Sequence, residues 1–171
     1  YSQKCTESMK LALGTVQFGL PYGISNVSGQ VTEQEALAIL KSANKSNIDT
    51  IDTAIGYGDS EQCLGSIGVD GWNIITKLPE IPQNNSNDTE WIHEQLNHSL
   101  SRLNVTQVHA LMLHRPMQLL SSIGEDIWEA LLSLKKKKLV KKIGFSIYAP
   151  EELDQLSSNF KPDIIQAPYN I

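Results

Sequence analysis

Four side chains that can exchange protons stand at or near the ends of short apolar runs in this chain. They are Asp52, Tyr57, Lys77 and His114. Three of the runs that precede them have the length and composition of buried strands. The carboxyl ends of parallel strands in an α/β fold meet at one mouth, so we expect the four side chains to converge there. A carboxylate, a phenol, an amine and an imidazole in one place can transfer protons to and from a carbonyl group.

Short apolar runs alternate with longer amphipathic runs along the chain. The apolar runs predict six strands, at residues 11–16, 48–51, 73–76, 108–113, 142–146 and 164–167. Helices are predicted between them, starting at the capping box of Thr32 and Glu35, at Ser60 as a helix cap, at Asp88, at Gly124 and at Pro150. Strands that alternate with helices indicate parallel pairing with right-handed crossovers.

The spacing of the strands favours a barrel over an open sheet. Strand starts roughly every thirty residues are typical of an eight-stranded (β/α) barrel, of which about six strands are present. The turn after the first run, Gly14-Thr15-Val16-Gln17-Phe18-Gly19, lacks the Gly-x-Gly-x-x-Gly pattern of dinucleotide-binding open sheets. We therefore predict an α/β TIM barrel that is incomplete here. The first and sixth strands are expected to be unpaired edges.

The composition is that of one globular unit, and we predict a single domain over residues 1–171. The chain is 40% hydrophobic with a formal net charge of −5, which gives no reason to expect nucleic acid or membrane as a partner. No apolar stretch approaches the ~20 residues that span a bilayer, and no signal-peptide pattern opens the chain. These features predict a cytoplasmic location. The chain starts at Tyr1 rather than at methionine, so we expect a longer native chain.

The cysteines and histidines do not indicate a metal site. Cys5 and Cys63 form no disulfide framework and have no metal-ligand spacing. His93 and His98 are five residues apart on a predicted helix and therefore lie on different faces. His109 is predicted at the surface. We expect no metal.

The segment 52–61, Asp-Thr-Ala-Ile-Gly-Tyr-Gly-Asp-Ser-Glu, resembles the most specific motif of the aldo-keto reductase family. The resemblance extends from Leu13-Gly14-Thr15 to Gln166-Ala167-Pro168-Tyr169-Asn170 and so covers nearly the whole chain. It implies a barrel of the aldo-keto reductase type. It also implies a catalytic tetrad, whose residue types match Asp52, Tyr57, Lys77 and His114.

The chemistry of the four residues is consistent with that tetrad. We expect the Lys77 ammonium to lower the pKa of Tyr57, whose free phenol at ~10 is a poor acid near neutrality. Asp52 would keep Lys77 charged and oriented. Tyr57 would then donate a proton to the carbonyl oxygen as general acid, and a neutral His114 would orient that oxygen.

Reduction also needs a hydride, which no side chain supplies, so a nicotinamide cofactor is implied. The resemblance implies NADPH and cofactor contacts at Gly14, Thr15, Asp52, Ser146 and Gln166. One position departs from the family, because Ile147 follows Ser146 where an asparagine is usual. The family's later segments, which hold the cofactor phosphates, have no counterpart among these residues.

The predicted function is therefore NADPH-dependent reduction of an aldehyde or ketone, with a small-molecule carbonyl as substrate. Phe18 and Tyr22, which follow the first strand, are candidates for the wall of the substrate pocket. One alternative is a non-catalytic binding or regulatory protein of the same fold, or an inactive fragment without the cofactor-binding end. Another is a barrel enzyme that uses Lys77 as a Schiff-base amine, a role that a nearby Asp52 disfavours. The sequence does not predict an oligomeric state.

Overall fold

A computed structural model describes residues 10–83 and 85–169. Six strands lie within these residues: β1 (Leu13–Gly14), β2 (Thr50–Asp52), β3 (Asn73–Leu78), β4 (Val108–Leu113), β5 (Val140–Ser146) and β6 (Ile164–Gln166). The helices are α1 (Val16–Gly19), α2 (Glu33–Lys45), α3 (Ser60–Ile67), α4 (Asp88–Leu103), α5 (Gly124–Lys136) and α6 (Pro150–Ser157). A 3₁₀ helix, Pro116–Leu120, follows β4.

The strands form one parallel sheet in the order β1-β2-β3-β4-β5-β6. Spatial order equals chain order, so each crossover moves one strand further in the same direction. The sheet therefore curls into an arc of a barrel with helices outside it, which confirms the predicted incomplete (β/α) barrel. Among the described strands, β1 and β6 are the two edges.

The first two strands, β1 and β2, have boundaries that differ from the prediction. β1 is shorter than predicted because the chain turns into α1, where the Leu20 amide donates to the Val16 carbonyl. β2 starts at Thr50 because the Ile48 amide still bonds to Ala43 at the end of α2. The 3₁₀ helix after β4 was not predicted. It begins at Pro116, whose fixed φ suits a first helical position.

The core lies between the outer face of the sheet and the helices. Trp128 of α5 packs between Phe145 and Phe160, with ring centroids 5.6 Å and 5.5 Å away. His109 is partly buried, and its Nδ1 is buried without a hydrogen-bond partner among the described residues. The prediction of a surface histidine holds only in part, since the residue is partly exposed but one ring nitrogen is buried. Lys136, at the end of α5, is exposed.

Two further predictions concern membranes and metals. None of the helices within residues 10–83 and 85–169 is long and apolar enough to cross a bilayer. In the same residues, no cluster of three or more His, Cys, Asp or Glu side chains is arranged to hold a metal ion. Cys63 is a free thiol, whereas Cys5 lies outside the described residues.

A buried carboxylate joins α3, β3 and α4. The side chain of Glu61 is 1% exposed. Its Oε1 accepts hydrogen bonds of 2.6 Å from both Thr76 and Ser99, and its Oε2 accepts two from Arg102, at 3.0 Å and 2.7 Å. Gly65 lets α3 approach α4 closely, because a Cβ there would lie 1.9 Å from the Arg102 carbonyl oxygen. This network holds the strand that carries Lys77 against its two flanking helices.

We predict that Glu61→Ala lowers the free energy of unfolding by about 2–4 kcal/mol, because it leaves three buried or partly buried donors without an acceptor. Urea denaturation of the native protein measures this loss. The matched control is Glu94→Ala, which removes an exposed carboxylate from α4 and is expected to change stability by less than about 0.5 kcal/mol. Equal effects of the two variants would contradict a structural role for the Glu61 network.

Candidate active site

Three of the four candidate residues are placed by the strands that carry them. Asp52 is the last residue of β2, Lys77 lies near the end of β3, and His114 directly follows β4. Register pairs Asp52 with Ile75, two residues before Lys77, so the two side chains leave the same face of the sheet. Tyr57 lies on the loop between β2 and α3.

The structure brings these four side chains together. Lys77 Nζ lies 2.7 Å from Asp52 Oδ1 and 5.2 Å from the centroid of the Tyr57 ring. The Tyr57 and His114 rings meet edge to face, with centroids 5.8 Å apart. The predicted convergence at the carboxyl ends of the strands is therefore present. The catalytic roles of the four residues stay predictions.

Lys77 is the most deeply buried of the four, at 2% exposure. Its ammonium donates to Asp52 Oδ1 at 2.7 Å and to the Thr53 carbonyl at 2.9 Å. Burial lowers the pKa of Lys77, and the negative charge of Asp52 opposes that effect. A buried amine with two acceptors has little freedom to move, so Lys77 serves as a fixed point of the site.

The pKa of Tyr57 differs from the prediction. Burial, followed by the negative charge of Asp52, raises the pKa of Tyr57 to about 12. The prediction that Lys77 lowers this pKa was wrong for this structure. The ammonium is already paired with Asp52, and it faces the Tyr57 ring at 5.2 Å from the centroid. Tyr57 is therefore fully protonated at neutral pH.

His114 is neutral at physiological pH, as predicted. Burial lowers the pKa of His114, and the positive charges of Lys77 and Arg115 lower it further. Its backbone amide donates to the Leu78 carbonyl at 3.0 Å, which continues the pairing of β4 with β3. A neutral imidazole fixed beside a protonated phenol can orient an oxygen atom without competing as a strong acid.

A cavity of about 230 Å³ opens onto this cluster. Residues from neighbouring strand ends line it: Tyr57, Lys77 and His114 on one side, and Ser146, Tyr148 and Gln166 on the other. A larger groove of about 670 Å³ lies outside the sheet beside α5. Its titratable lining residues are the carboxylates Glu125 and Glu129, and its lining includes no phenol, imidazole or amine. The smaller cavity is therefore the candidate active site.

Two predicted cofactor residues, Ser146 and Gln166, line this cavity. Ser146 and Gln166 are paired in register at the ends of β5 and β6. The Oε1 atom of Gln166 is buried and has no hydrogen-bond partner among the described residues. A buried amide oxygen without a donor is costly, so this atom is poised for a donor from a bound molecule.

Two more predicted cofactor residues, Gly14 and Thr15, lie at the end of the edge strand β1, and the fifth, Asp52, is paired with Lys77. Gly14 is exposed, and a Cβ there would meet nothing within 4 Å. Thr15 is 1% exposed, and its hydroxyl donates to the Asp52 carbonyl at 3.0 Å. The Thr15 side chain is thus committed to the protein itself, so the geometry does not support a direct cofactor contact through its hydroxyl.

Ser60 has a role that sequence reasoning missed. It was predicted to cap α3, but the cap position is Asp59, and Ser60 is the first helical residue. The fully buried Ser60 hydroxyl lies 2.9 Å from the Thr15 carbonyl and 3.1 Å from the Thr53 hydroxyl. It therefore ties the start of α3 to the ends of β1 and β2, on either side of Asp52. A serine at a predicted helix start does not indicate such a contact, so the sequence did not predict it.

Close backbone contact positions the loop that carries Tyr57. A Cβ on Gly19 would lie 1.8 Å from the Tyr57 carbonyl oxygen and 2.4 Å from the Ser60 nitrogen. Gly58 has φ +55, and a Cβ there would lie 2.4 Å from the Gly19 carbonyl oxygen. Only glycine at both positions allows α1 and this loop to touch.

The two predicted pocket walls occupy different surroundings. Phe18 is 3% exposed and packs into the core, where it borders a separate cavity beside Cys63. The prediction for Phe18 was wrong, because its side chain is buried in the core and does not line the candidate cavity. Tyr22 is 61% exposed and is close enough to Tyr57 to contribute to the raised pKa of that phenol.

Comparison with known proteins finds relatives of this chain in sequence and in fold. The model of the aldo/keto reductase family matches residues 10–171. A Pseudomonas aeruginosa protein assigned to the aldo-keto reductases has a similar structure, with a TM-score of 0.77 and 27% identity over 94% of this chain. An aldo/keto reductase from Brucella melitensis gives a TM-score of 0.66 with 25% identity over 92% of this chain.

A more distant structure shares the fold. The aldo-keto reductase of Bacillus halodurans, in its holo form, has a TM-score of 0.73 and 20% identity over 94% of this chain. The chain spans 63% of the Pseudomonas structure, 57% of the Brucella structure and 53% of the Bacillus structure. A search of curated proteins found no match.

We predict that Gly19→Ala destabilises the protein by about 3 kcal/mol or more, because the added methyl group collides with backbone rather than with a side chain that can move. Thermal and urea unfolding of the native protein measure the loss. Gly56→Ala is the matched control, since its Cβ would meet nothing within 4 Å. A Gly19→Ala protein as stable as Gly56→Ala would contradict the close backbone contact between α1 and the loop that carries Tyr57.

Proposed function

This chain belongs to the aldo/keto reductase family, and on that premise we propose that the protein reduces an aldehyde or ketone to an alcohol with NADPH. The substrate would be a small-molecule carbonyl compound. The observation that carries the proposal is the cluster of a protonated phenol, a neutral imidazole and a buried ion pair at one cavity. The expected cytoplasmic location remains part of the proposal.

His114 and Tyr57 are suited to hold a carbonyl oxygen between them. The neutral imidazole offers a hydrogen bond that orients the oxygen, and the phenol offers the proton that the oxygen must gain. An alcohol is a much weaker acid than a phenol. Proton transfer from Tyr57 to an alkoxide-like oxygen is therefore downhill even with the pKa of Tyr57 at about 12.

Lys77 and Asp52 act on this step by position and charge. Lys77 Nζ lies 5.2 Å from the Tyr57 ring centroid, so its charge stabilises negative charge that develops at the phenol during proton transfer. Asp52 holds the ammonium at 2.7 Å and keeps it in place despite burial. The same carboxylate raises the pKa of Tyr57, which keeps the phenol in the proton-donating form.

The residues present fit a nicotinamide group. The buried, unpartnered Oε1 of Gln166 matches a donor such as a carboxamide N–H, and Ser146 lies beside it in register. When bound, the reduced nicotinamide supplies the hydride to the carbonyl carbon. The backbone amide of Ile147 donates to the Gln166 carbonyl at 2.9 Å, which fixes the strand end that presents the amide side chain.

A non-catalytic, ligand-binding protein of the same fold is the second candidate. Ile147 favours it, because this buried apolar side chain lines the cavity where an asparagine is usual in the family. The Schiff-base alternative for Lys77 has less support. Such an amine needs to be free, whereas Lys77 is paired with Asp52.

We predict that Tyr57→Phe in the native protein lowers kcat for aldehyde reduction by about 10²–10⁴-fold, the range that general acid catalysis supplies. NADPH binding, measured by fluorescence, is expected to persist. With the pKa of Tyr57 near 12, the reverse oxidation of an alcohol needs the phenolate and should rise with pH through the alkaline range. A loss of activity below about tenfold would assign Tyr57 to packing and support the non-catalytic alternative.

We predict that Gln166→Leu weakens NADPH binding by about tenfold, because the cofactor then loses a hydrogen bond to a buried acceptor. The stability of the protein without cofactor should not fall, since the variant removes an unsatisfied buried oxygen. Fluorescence titration and thermal unfolding test the two parts separately. Unchanged NADPH affinity would remove Gln166 from the cofactor site.

A further inference from the structure

Arg115 lies at the rim of the candidate active site. It directly follows His114 and precedes the 3₁₀ helix at Pro116. Its guanidinium carbon lies 5.3 Å above the centroid of the Tyr148 ring. Tyr148 in turn lines the cavity that contains Tyr57 and His114. The Arg115 charge therefore sits beside the mouth of the cavity and close enough to His114 to lower the pKa of that imidazole.

This cation has no partner in the part of the chain that the structure describes. No ion pair or side-chain hydrogen bond there involves Arg115. Lys77, the other cation at the cavity, is neutralised by Asp52. Glu152, whose carboxylate accepts from the Tyr148 amide at 2.7 Å at the start of α6, forms no ion pair with Arg115. Within the described residues, the rim thus carries a guanidinium without an ion-pair partner.

The contact of Arg115 with Tyr148 prepares the guanidinium for an anion. An arginine held over an aromatic ring is oriented by cation–π attraction, and its N–H donors form a fixed fork in the plane of the guanidinium. These donors match the two oxygens of a carboxylate or phosphate in a bidentate pair. The conformational cost of ordering the long side chain is partly met before a ligand arrives.

We propose that Arg115, supported by Tyr148, forms a rim subsite that binds a carboxylate or phosphate group of the carbonyl substrate. This inference rests on the proposed reduction at the same cavity and names its substrate class as anionic carbonyl compounds. The reacting carbonyl lies at Tyr57 and His114, and the anionic group lies at the rim. Arg115 thus selects the substrate, whereas Tyr57 supplies the proton.

The kinetic test compares each isomer of carboxybenzaldehyde with its neutral methyl ester in the native protein. The three isomers place the carboxylate at different distances from the aldehyde. For at least one isomer, Arg115→Gln should lower kcat/KM for the acid by about tenfold or more and change that for its ester less than threefold. Arg115→Lys should recover part of the loss, and the distant Lys45→Gln should have no effect. Equal loss for acid and ester, or no loss for any isomer, would overturn the proposal.

A binding test separates this inference from the proposed reduction. Sodium benzoate and phenyl phosphate are titrated separately into the native protein, and the His114 ring resonances are followed by NMR. At least one probe should give a saturable shift that weakens about tenfold or more in Arg115→Gln and persists in Lys45→Gln. The probe that does so identifies carboxylate or phosphate as the preferred group.

Shifts unchanged in Arg115→Gln would overturn the subsite, even if Tyr57→Phe abolishes turnover. Conversely, turnover that survives Tyr57→Phe would contradict the proposed reduction and leave the binding result intact.

Discussion

The rest of the site depends on one buried ion pair, between Lys77 and Asp52. An ammonium at 2% exposure needs an opposite charge and hydrogen-bond acceptors. Here Asp52 Oδ1 supplies the charge, and this oxygen and the Thr53 carbonyl accept hydrogen bonds of 2.7 Å and 2.9 Å. Loss of one partner from such a pair costs several kcal/mol because the other charge stays buried. The pair also sets the electrostatics of the cavity. Its carboxylate adds to the larger effect of burial in keeping the Tyr57 phenol protonated, and its ammonium adds to the larger effect of burial in keeping His114 neutral.

The surrounding structure holds this pair and Tyr57 in a fixed geometry. Behind β3, the Glu61 carboxylate binds Thr76, next to Lys77, and links that strand to α3 and α4. Beside Asp52, the Ser60 hydroxyl binds groups of Thr15 and Thr53. Backbone contact between α1 and the Tyr57 loop then brings the phenol within reach of His114. Three separate contacts therefore fix the positions of the four side chains that form the site.

Sequence predicted the parts of this arrangement that follow from strand periodicity. Parallel strands bring their carboxyl ends to one mouth, so the amino-acid pattern was enough to place Asp52, Lys77 and His114 together. The direction of the Tyr57 pKa shift could not be predicted, because its sign depends on whether burial and Asp52 outweigh a lysine that is already paired. Ser60 and Phe18 were misassigned for a related reason. Their roles depend on the short helix α1, which replaces the end of the predicted first strand.

The ionisation of Lys77 tests the central role of the ion pair most directly. In native protein labelled with ¹⁵N at lysine, NMR can follow the Lys77 side chain separately from the exposed lysines as the pH rises. We expect a pKa for Lys77 below the usual 10.5, because burial outweighs the attraction of Asp52. We also expect a further decrease of this pKa in Asp52→Asn, where the opposing charge is removed. A Lys77 that titrates together with the exposed lysines in both proteins would contradict a buried, Asp52-bound ammonium at the centre of the site.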